Sequence, residues 1–315
     1  MKKMTPKKIE SDLQAAFLSA YNIKNKSISF PENISVYNED NNTYRLHIKS
    51  DYTSKNMQTN ENAIDSWALI LNRWLGKNII LDWDFPKNIC DLHYQRFLYR
   101  INEFERYFNP LISLSQNAKN NLNDLRINEN EEYYTNSPSK TNRNKPVKIP
   151  LKSEDDYEVF FLQNSQLFNS VLQGATKKHS FFRQLPVGLF KKEVFIPNAI
   201  FTHKKSAIDL ISWDKDNLFI YELKKPNNKS IGIISELFFY TRFMSAVIKK
   251  QFLLPKKSNL QFSNIKSIKS YMLVKKDNIH PLIDKELLNF LNTKDLFFGV
   301  IFYEFNNNEC SLTEL

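Results

Sequence analysis

Apolar positions recur along this chain with two periods, near 3.6 and near 2, and the switches between them mark its elements. Lys7–Tyr21 reads as a short helix. Ile34, Val36, Tyr44, Leu46 and Ile48 alternate with polar residues, and the polar run 38–42 interrupts them; that is the pattern of a β-hairpin. Ile64, Trp67, Leu71, Trp74 and Leu75 fall at helical spacing, with Gly76 placed to cap the helix. Ile79–Trp83 reads as a buried strand that ends before Pro86. Asp91–Phe108 reads as a second helix with Phe97, Ile101, Phe104 and Phe108 on one side. Periodicity fails after Leu125. The surrounding stretch 116–146 is rich in Asn, with Ser, Thr and Pro, and reads as a linker.

The pattern resumes near Val147. Ser153–Leu172 is helical in period, and Pro186 and Gly188 mark a turn after the apolar run that begins at Phe181. Glu193–Phe201 reads as a strand. Ala207–Trp213 and Leu218–Leu223 are two apolar runs separated by Asp214, Lys215, Asp216 and Asn217, a turn-forming cluster, so a second hairpin is expected. Ile231–Lys250 reads as a helix, Ser270–Lys275 as a strand, His280–Leu291 as an amphipathic helix and Leu296–Phe305 as a long strand. The expected class is α/β, a sheet covered by helices, preceded by a smaller α+β domain over 1–115.

Candidate chemistry changes the picture in the second hairpin. Asp209 sits inside an apolar strand, where a charge is costly unless it is paired or binds a metal. Glu222 and Lys224 share one face of the next strand, because side chains alternate. Antiparallel pairing brings Asp209 beside that face. Two close carboxylates repel, and a divalent cation between them relieves the repulsion. Mg²⁺ favours oxygen ligands and leaves positions for water and phosphate. A neighbouring Lys can orient the attacking water or stabilise charge on the phosphate.

Asp209 followed by Glu222-Leu223-Lys224, with a helix behind them, resembles the signature of the PD-(D/E)XK nuclease superfamily. Ile208 rather than Pro precedes the Asp. The resemblance implies a restriction-endonuclease-like mixed central sheet flanked by helices over 147–315. It implies that Asp209, Glu222 and the carbonyl of Leu223 bind Mg²⁺ or Mn²⁺ and that Lys224 assists the attacking water. An acidic residue on the first core helix, Glu158 before Glu154, would complete the site. The exonuclease branch often carries Gln-x-x-x-Tyr on the helix after the motif; this chain has Glu236 and Tyr240 there. These two, with Arg183, Gln184 and Lys225, are expected to meet nucleic acid. DNA is the expected substrate, and such nucleases are often homodimers. Restriction, repair and anti-phage defence are the roles the resemblance leaves open.

Composition agrees with a polyanionic partner. The chain carries 44 Lys and Arg against 34 Asp and Glu, a net charge of +10. Cys90 and Cys310 show no metal spacing and read as reduced thiols. The five histidines include no pair at ligand spacing, so no zinc site is expected; His203, near the motif, reads as a surface or packed residue. No apolar run is long enough to span a membrane and the N-terminus is no secretory signal, so a cytoplasmic protein is expected. In the first domain, Asp65, Asp82 and Asp84 read as caps or surface residues, Arg96, Arg100 and Arg106 as a solvated face, and Trp67 and Trp74 as core. Three alternatives stay open: a non-catalytic nucleic-acid-binding module with the nuclease fold, an RNA-directed nuclease, and a protein-interaction scaffold.

Overall fold

The computed structural model describes residues 2–315 except 24–27, 56, 58, 129, 137–146, 173–179, 202–205, 257, 259, 261, 263, 293–294 and 308. The chain is mixed α/β. It divides into two compact units: Met1–Ile127 with Ser230–Ser235 and His280–Leu287, and Asn128–Lys229 with Glu236–Ile279 and Leu288–Leu315.

Unit 1 contains β1 (Lys2–Met4), α1 (Pro6–Tyr21), β2 (Ile34–Asn38), β3 (Thr43–Ile48), α2 (Ser50–Thr53), α3 (Ile64–Leu75), β4 (Asn78–Trp83), α4 (Leu92–Phe108), β5 (Ile112–Leu114) and α5 (Gln116–Leu122). Its sheet runs β1-β2-β3-β4-β5, antiparallel as far as β3 and parallel from β3 to β5. Local chemistry sets the helix ends. The Thr5 side chain accepts from Lys8 N–H and Pro6 opens α1. Gly76, at φ 62°, closes α3. Asp91 accepts from the N–H groups of His93 and Tyr94 at the start of α4.

The core of unit 1 includes Trp67 and Trp74, as expected. Its charged residues depart from expectation. Arg96 and Arg100 are buried, although Arg106 is exposed. Asp65 is also buried, with Arg100 Nε 3.3 Å away and the Ser235 hydroxyl donating at 2.7 Å. Asp82 accepts from Ser115 Oγ at 2.6 Å and Asn117 Nδ2 at 3.1 Å and faces His47 Nδ1 at 3.2 Å. Neither Asp is a cap. A charge pattern along one helix identifies a polar face, but a partner on another element can let that face be buried. Asp84 keeps the surface position expected of it.

Unit 2 holds β6 (Tyr133–Thr135), α6 (Glu154–Gln163), β7 (Ser180–Pro186), β8 (Leu189–Lys191), β9 (Ala199–Phe201), β10 (Ala207–Trp213) and β11 (Asn217–Lys224). Helix α7 (Gly232–Ile248), β12 (Ser267–Lys275), α8 (Lys285–Leu291), β13 (Leu296–Asn306) and β14 (Glu309–Glu314) follow in the chain. Six strands form one sheet in the order β14-β13-β12-β11-β10-β7, and β6-β8-β9 form another. Strands β11, β12 and β13 are parallel; the other neighbours in the large sheet are antiparallel.

One face of the large sheet supplies Leu210, Tyr221, Leu223, Tyr271, Leu273 and Tyr303 to a core shared with Tyr157 and Phe161 of α6. The opposite face carries Ser270, whose hydroxyl meets that of Thr241 on α7 at 2.6 Å. The sheet is therefore covered on both sides, which is why its central strands are apolar almost throughout. Strand β11 has seven consecutive buried residues after Asn217.

Several boundaries differ from the sequence pattern. The helix expected to reach Leu172 ends at Gln163 and gives way to a 3-10 turn at Ser165–Ser170. Only Ala199–Phe201 of the stretch 193–201 forms a strand; Ile196–Asn198 makes a 3-10 turn before it. The helix expected from His280 begins at Lys285, because the Asp284 side chain caps it by accepting from Leu287 N–H at 2.8 Å. The stretch read as a linker contains α5, capped by Ser115, and β6, which pairs with β8. Residues 137–146, with most of the basic segment 142–148, lie outside the described residues, as does His203. Among the described residues, no helix is long and apolar enough to cross a membrane.

Candidate active site

The hairpin β10–β11 forms for local reasons. Asp214 Oδ1 accepts from the N–H groups of Asp216 and Asn217 at 2.8 and 2.7 Å, which folds the connection into a tight turn. The register is then Trp213↔Leu218 through Leu210↔Tyr221. Leu210 and Tyr221 both enter the apolar core under α6, so alternation turns Asp209, Glu222 and Lys224 towards the α7 side of the sheet. Asp209 Oδ2 accepts from Leu223 N–H at 2.8 Å and so ties the two strands beyond the Leu210↔Tyr221 pair.

Glu222, Lys224 and Glu236 are 1 %, 4 % and 0 % exposed. Lys224 Nζ lies 2.6 Å from Glu222 Oε1 and 2.8 Å from Glu236 Oε2. Asp209 keeps part of its surface open. Burial pushes its carboxyl up to about 8; Lys224 pulls it down, while Glu158 and Glu236 push it further up. Glu222 stands well above the usual carboxylate range because of burial and then the fields of Asp209 and Glu236. Burial by itself lowers Lys224, but Glu222, Glu236 and Asp209 outweigh it and hold the ammonium well above the ordinary Lys value. The lysine is a firmly charged group beside Asp209 and Glu222, two carboxyls that resist ionisation.

A second carboxylate cluster borders the first. Glu158 Oε2 accepts from Arg183 Nε at 3.1 Å and Nη2 at 2.9 Å, and Oε1 accepts from Gln184 Nε2 at 2.8 Å. Asp155 pairs with the same Arg183. Gln184 Nε2 also lies 3.4 Å from Asp209 Oδ1, so it links the helix carboxylate to the strand carboxylate. Neighbouring residues of a strand point to opposite faces, yet Arg183 and Gln184 both reach Glu158. The backbone explains this: Gln184 has φ 53°, a left-handed conformation inside β7. Burial raises the Glu158 carboxyl, and Gln184 and Arg183 oppose the shift.

The residues expected to meet nucleic acid divide. Lys225 is exposed. Arg183 and Gln184 are committed to Glu158. Glu236 and Tyr240 are fully buried, so neither presents a surface to a nucleic-acid backbone. The reason is composition: α7 is apolar nearly all round and lies inside the fold. Glu236 instead joins Glu222 at Lys224, a role that the four-residue interval to Tyr240 did not indicate. The signal that could have found it is a lone Glu in an apolar helix, since such a charge demands a partner.

The donors that the resemblance implies, Asp209, Glu222 and the Leu223 carbonyl, are all oxygens, the kind a hard divalent cation takes. Glu222 Oε2 is buried without a hydrogen-bond partner among the described residues, so an oxygen is left for a further partner. Among the same residues, no three His, Cys, Asp or Glu side chains stand as a ready-made metal cage. The ammonium of Lys224 stands between Glu222 and Glu236. The chain matches no family model, no curated protein and no solved structure.

Proposed function

We propose that this chain is a metal-dependent nuclease of the PD-(D/E)XK type, hydrolysing phosphodiester bonds with DNA as its substrate. The observation that carries the reading is the meeting of Asp209, Glu222 and Lys224 on paired strands, with a charged Lys buried among carboxylates. Such a cluster adds little net stability, and pKa values this perturbed concentrate at functional sites. The order α6, β7, β10, β11, α7, β12 and β13, with a hairpin leading into parallel strands, supports the restriction-endonuclease-like arrangement.

In this reading Asp209, Glu222 and the Leu223 carbonyl would hold Mg²⁺ or Mn²⁺. The bound ion would supply an activated water and polarise the phosphate. Lys224 keeps its proton and sets a positive charge beside Glu222, where it orients the attacking water and stabilises charge gathering on the phosphate. Glu158 acts at one remove. It holds Arg183 and Gln184, and Gln184 in turn steadies Asp209. Exposed Lys225, Lys229, Lys249 and Lys250 supply charge for the phosphate backbone.

The test is incubation of the full chain with Mg²⁺, Mn²⁺ or EDTA on linear duplex, circular duplex and single-stranded DNA, and on RNA. The expected result is metal-dependent cutting of DNA, lost in Glu222→Ala and Lys224→Ala. Cutting of RNA alone would move the substrate. Binding without cutting on every substrate would favour the non-catalytic module. An absence of both would remove nucleic acid from the account of the isolated protein.

A further inference from the structure

Glu236 lies in the first turns of α7 and is fully buried. A carboxylate there has lost its water and needs several donors in return. It has received few. Oε2 is ion-paired with Lys224 Nζ at 2.8 Å, and Oε1 has no hydrogen-bond partner among the described residues. Glu222 is in the same condition. Its Oε1 meets the same ammonium at 2.6 Å, and its Oε2 has no such partner. Two buried carboxylates thus share one lysine, and each keeps an oxygen without a hydrogen-bond partner among the described residues.

The charges of the cluster point the same way. Asp155, Asp209, Glu158, Glu222 and Glu236 stand against Lys224 and Arg183, so acidic groups outnumber basic ones. A divalent cation would offset part of that excess. A purely structural Glu at position 236 would leave it unbalanced, and burying an apolar residue or a Gln there would cost less.

We propose that Glu236 is a further protein ligand of the divalent-cation site, binding Mg²⁺ or Mn²⁺ together with Glu222 through the oxygens that Lys224 does not use. The proposal rests on the metal-dependent reading above and extends it to a residue on the helix behind the motif. Mg²⁺ sites commonly use one or two carboxylates and keep several waters. A third carboxylate therefore suits Mn²⁺ as well as Mg²⁺, and it ties the position of α7 to occupancy of the site.

The experiment is calorimetric titration of the full chain with MnCl₂, using the wild type, Glu222→Gln, Glu236→Gln and, as a surface control, Glu193→Gln. Wild type and Glu193→Gln are expected to bind alike. Glu222→Gln and Glu236→Gln are each expected to weaken binding about tenfold or more, the order of loss seen when a metal site is disturbed. Circular dichroism of each variant establishes that it is folded. A Glu236→Gln protein that binds Mn²⁺ within about twofold of wild type, beside a weakened Glu222→Gln, overturns the role of Glu236 and leaves the metal-dependent reading intact. A wild type that binds no Mn²⁺ overturns both. A second measurement needs no variant: anomalous scattering from Mn²⁺-soaked crystals of the wild type. The ion is expected within coordination distance of a Glu236 oxygen, about 2.0–2.4 Å. An ion seated on Asp209 and Glu222 alone rejects the assignment, whatever the behaviour of the variants.

Discussion

Replacing Lys224 by Met removes the ammonium between Glu222 and Glu236 and keeps an unbranched side chain of similar length. Lys224 Nζ stands 2.6 Å from one carboxylate and 2.8 Å from the other, with all three side chains almost fully buried. Removing one partner from a buried pair leaves an uncompensated charge and costs about 3–5 kcal/mol. The cost depends on pH, with a definite sign. Burial first, and then neighbouring carboxylates, raise Asp209 to about 8 and Glu222 well above the usual range; Lys224 opposes both shifts. Carboxyls raised in the folded state take up protons on folding. The stability linked to that uptake is fully present below the unfolded value, about 4, and is lost as pH rises through the folded value. Without Lys224 both groups rise further, so the variant loses more stability than wild type on the alkaline side. The measurement is urea unfolding of the metal-free chain at pH 5 and pH 8.5. Hydrogen exchange of the β11 amides would identify the transition that belongs to unit 2. The full cost is expected at pH 8.5, and a clearly smaller one at pH 5, where Asp209 and Glu222 are protonated. An equal cost at both pH values, or a variant more stable than wild type at pH 8.5, would refute the account of the cluster.

Gly299→Ala tests the packing under the large sheet. A Cβ there would sit 2.8 Å from Phe297 Cε1 and 3.0 Å from Tyr271 Cε1, so a loss of about 1–3 kcal/mol in thermal or urea unfolding is expected. Gln184→Val places a β-branched residue at φ 53° and deletes the bonds to Glu158 and Asp209. Unfolding should show a cost of about 2–3 kcal/mol, against a smaller one for Gln184→Asn, which tolerates that backbone. His47→Gln probes unit 1. The hydrogen bond with Asp82 raises His47 despite burial, with Asp84 adding to the rise. The stability linked to that pair is present below the ordinary His value and lost as pH rises through the raised one. The variant should therefore cost about 1–2 kcal/mol near pH 6 and less near pH 9 by urea unfolding.

Much of the framework is legible in the amino-acid pattern because it is local. The turn Asp214–Asn217 between two apolar runs specifies the β10–β11 hairpin. With that hairpin come the alternation that puts Glu222 and Lys224 on one face and the adjacency of Asp209. Gly76 after α3 and Asp91 before α4 mark helix ends by chemistry contained in a few residues. Other boundaries rest on capping that the apolar period does not register. His280–Leu291 keeps a helical rhythm, yet Asp284 starts the helix late.

Long-range pairing decides the rest. Arg96 and Arg100 look solvated along α4, and Asp65 looks like a surface group, until a partner from another element allows Arg100 and Asp65 to be buried together. Arg183 looks available to phosphate until Glu158, from α6, takes it. Glu236 is one carboxylate in an apolar helix, and nothing near it in the chain says what it faces. Only when α7 lies on the sheet does it meet Lys224 and Glu222, since periodicity states which face is apolar while the partner of a buried charge is set by elements far away in sequence.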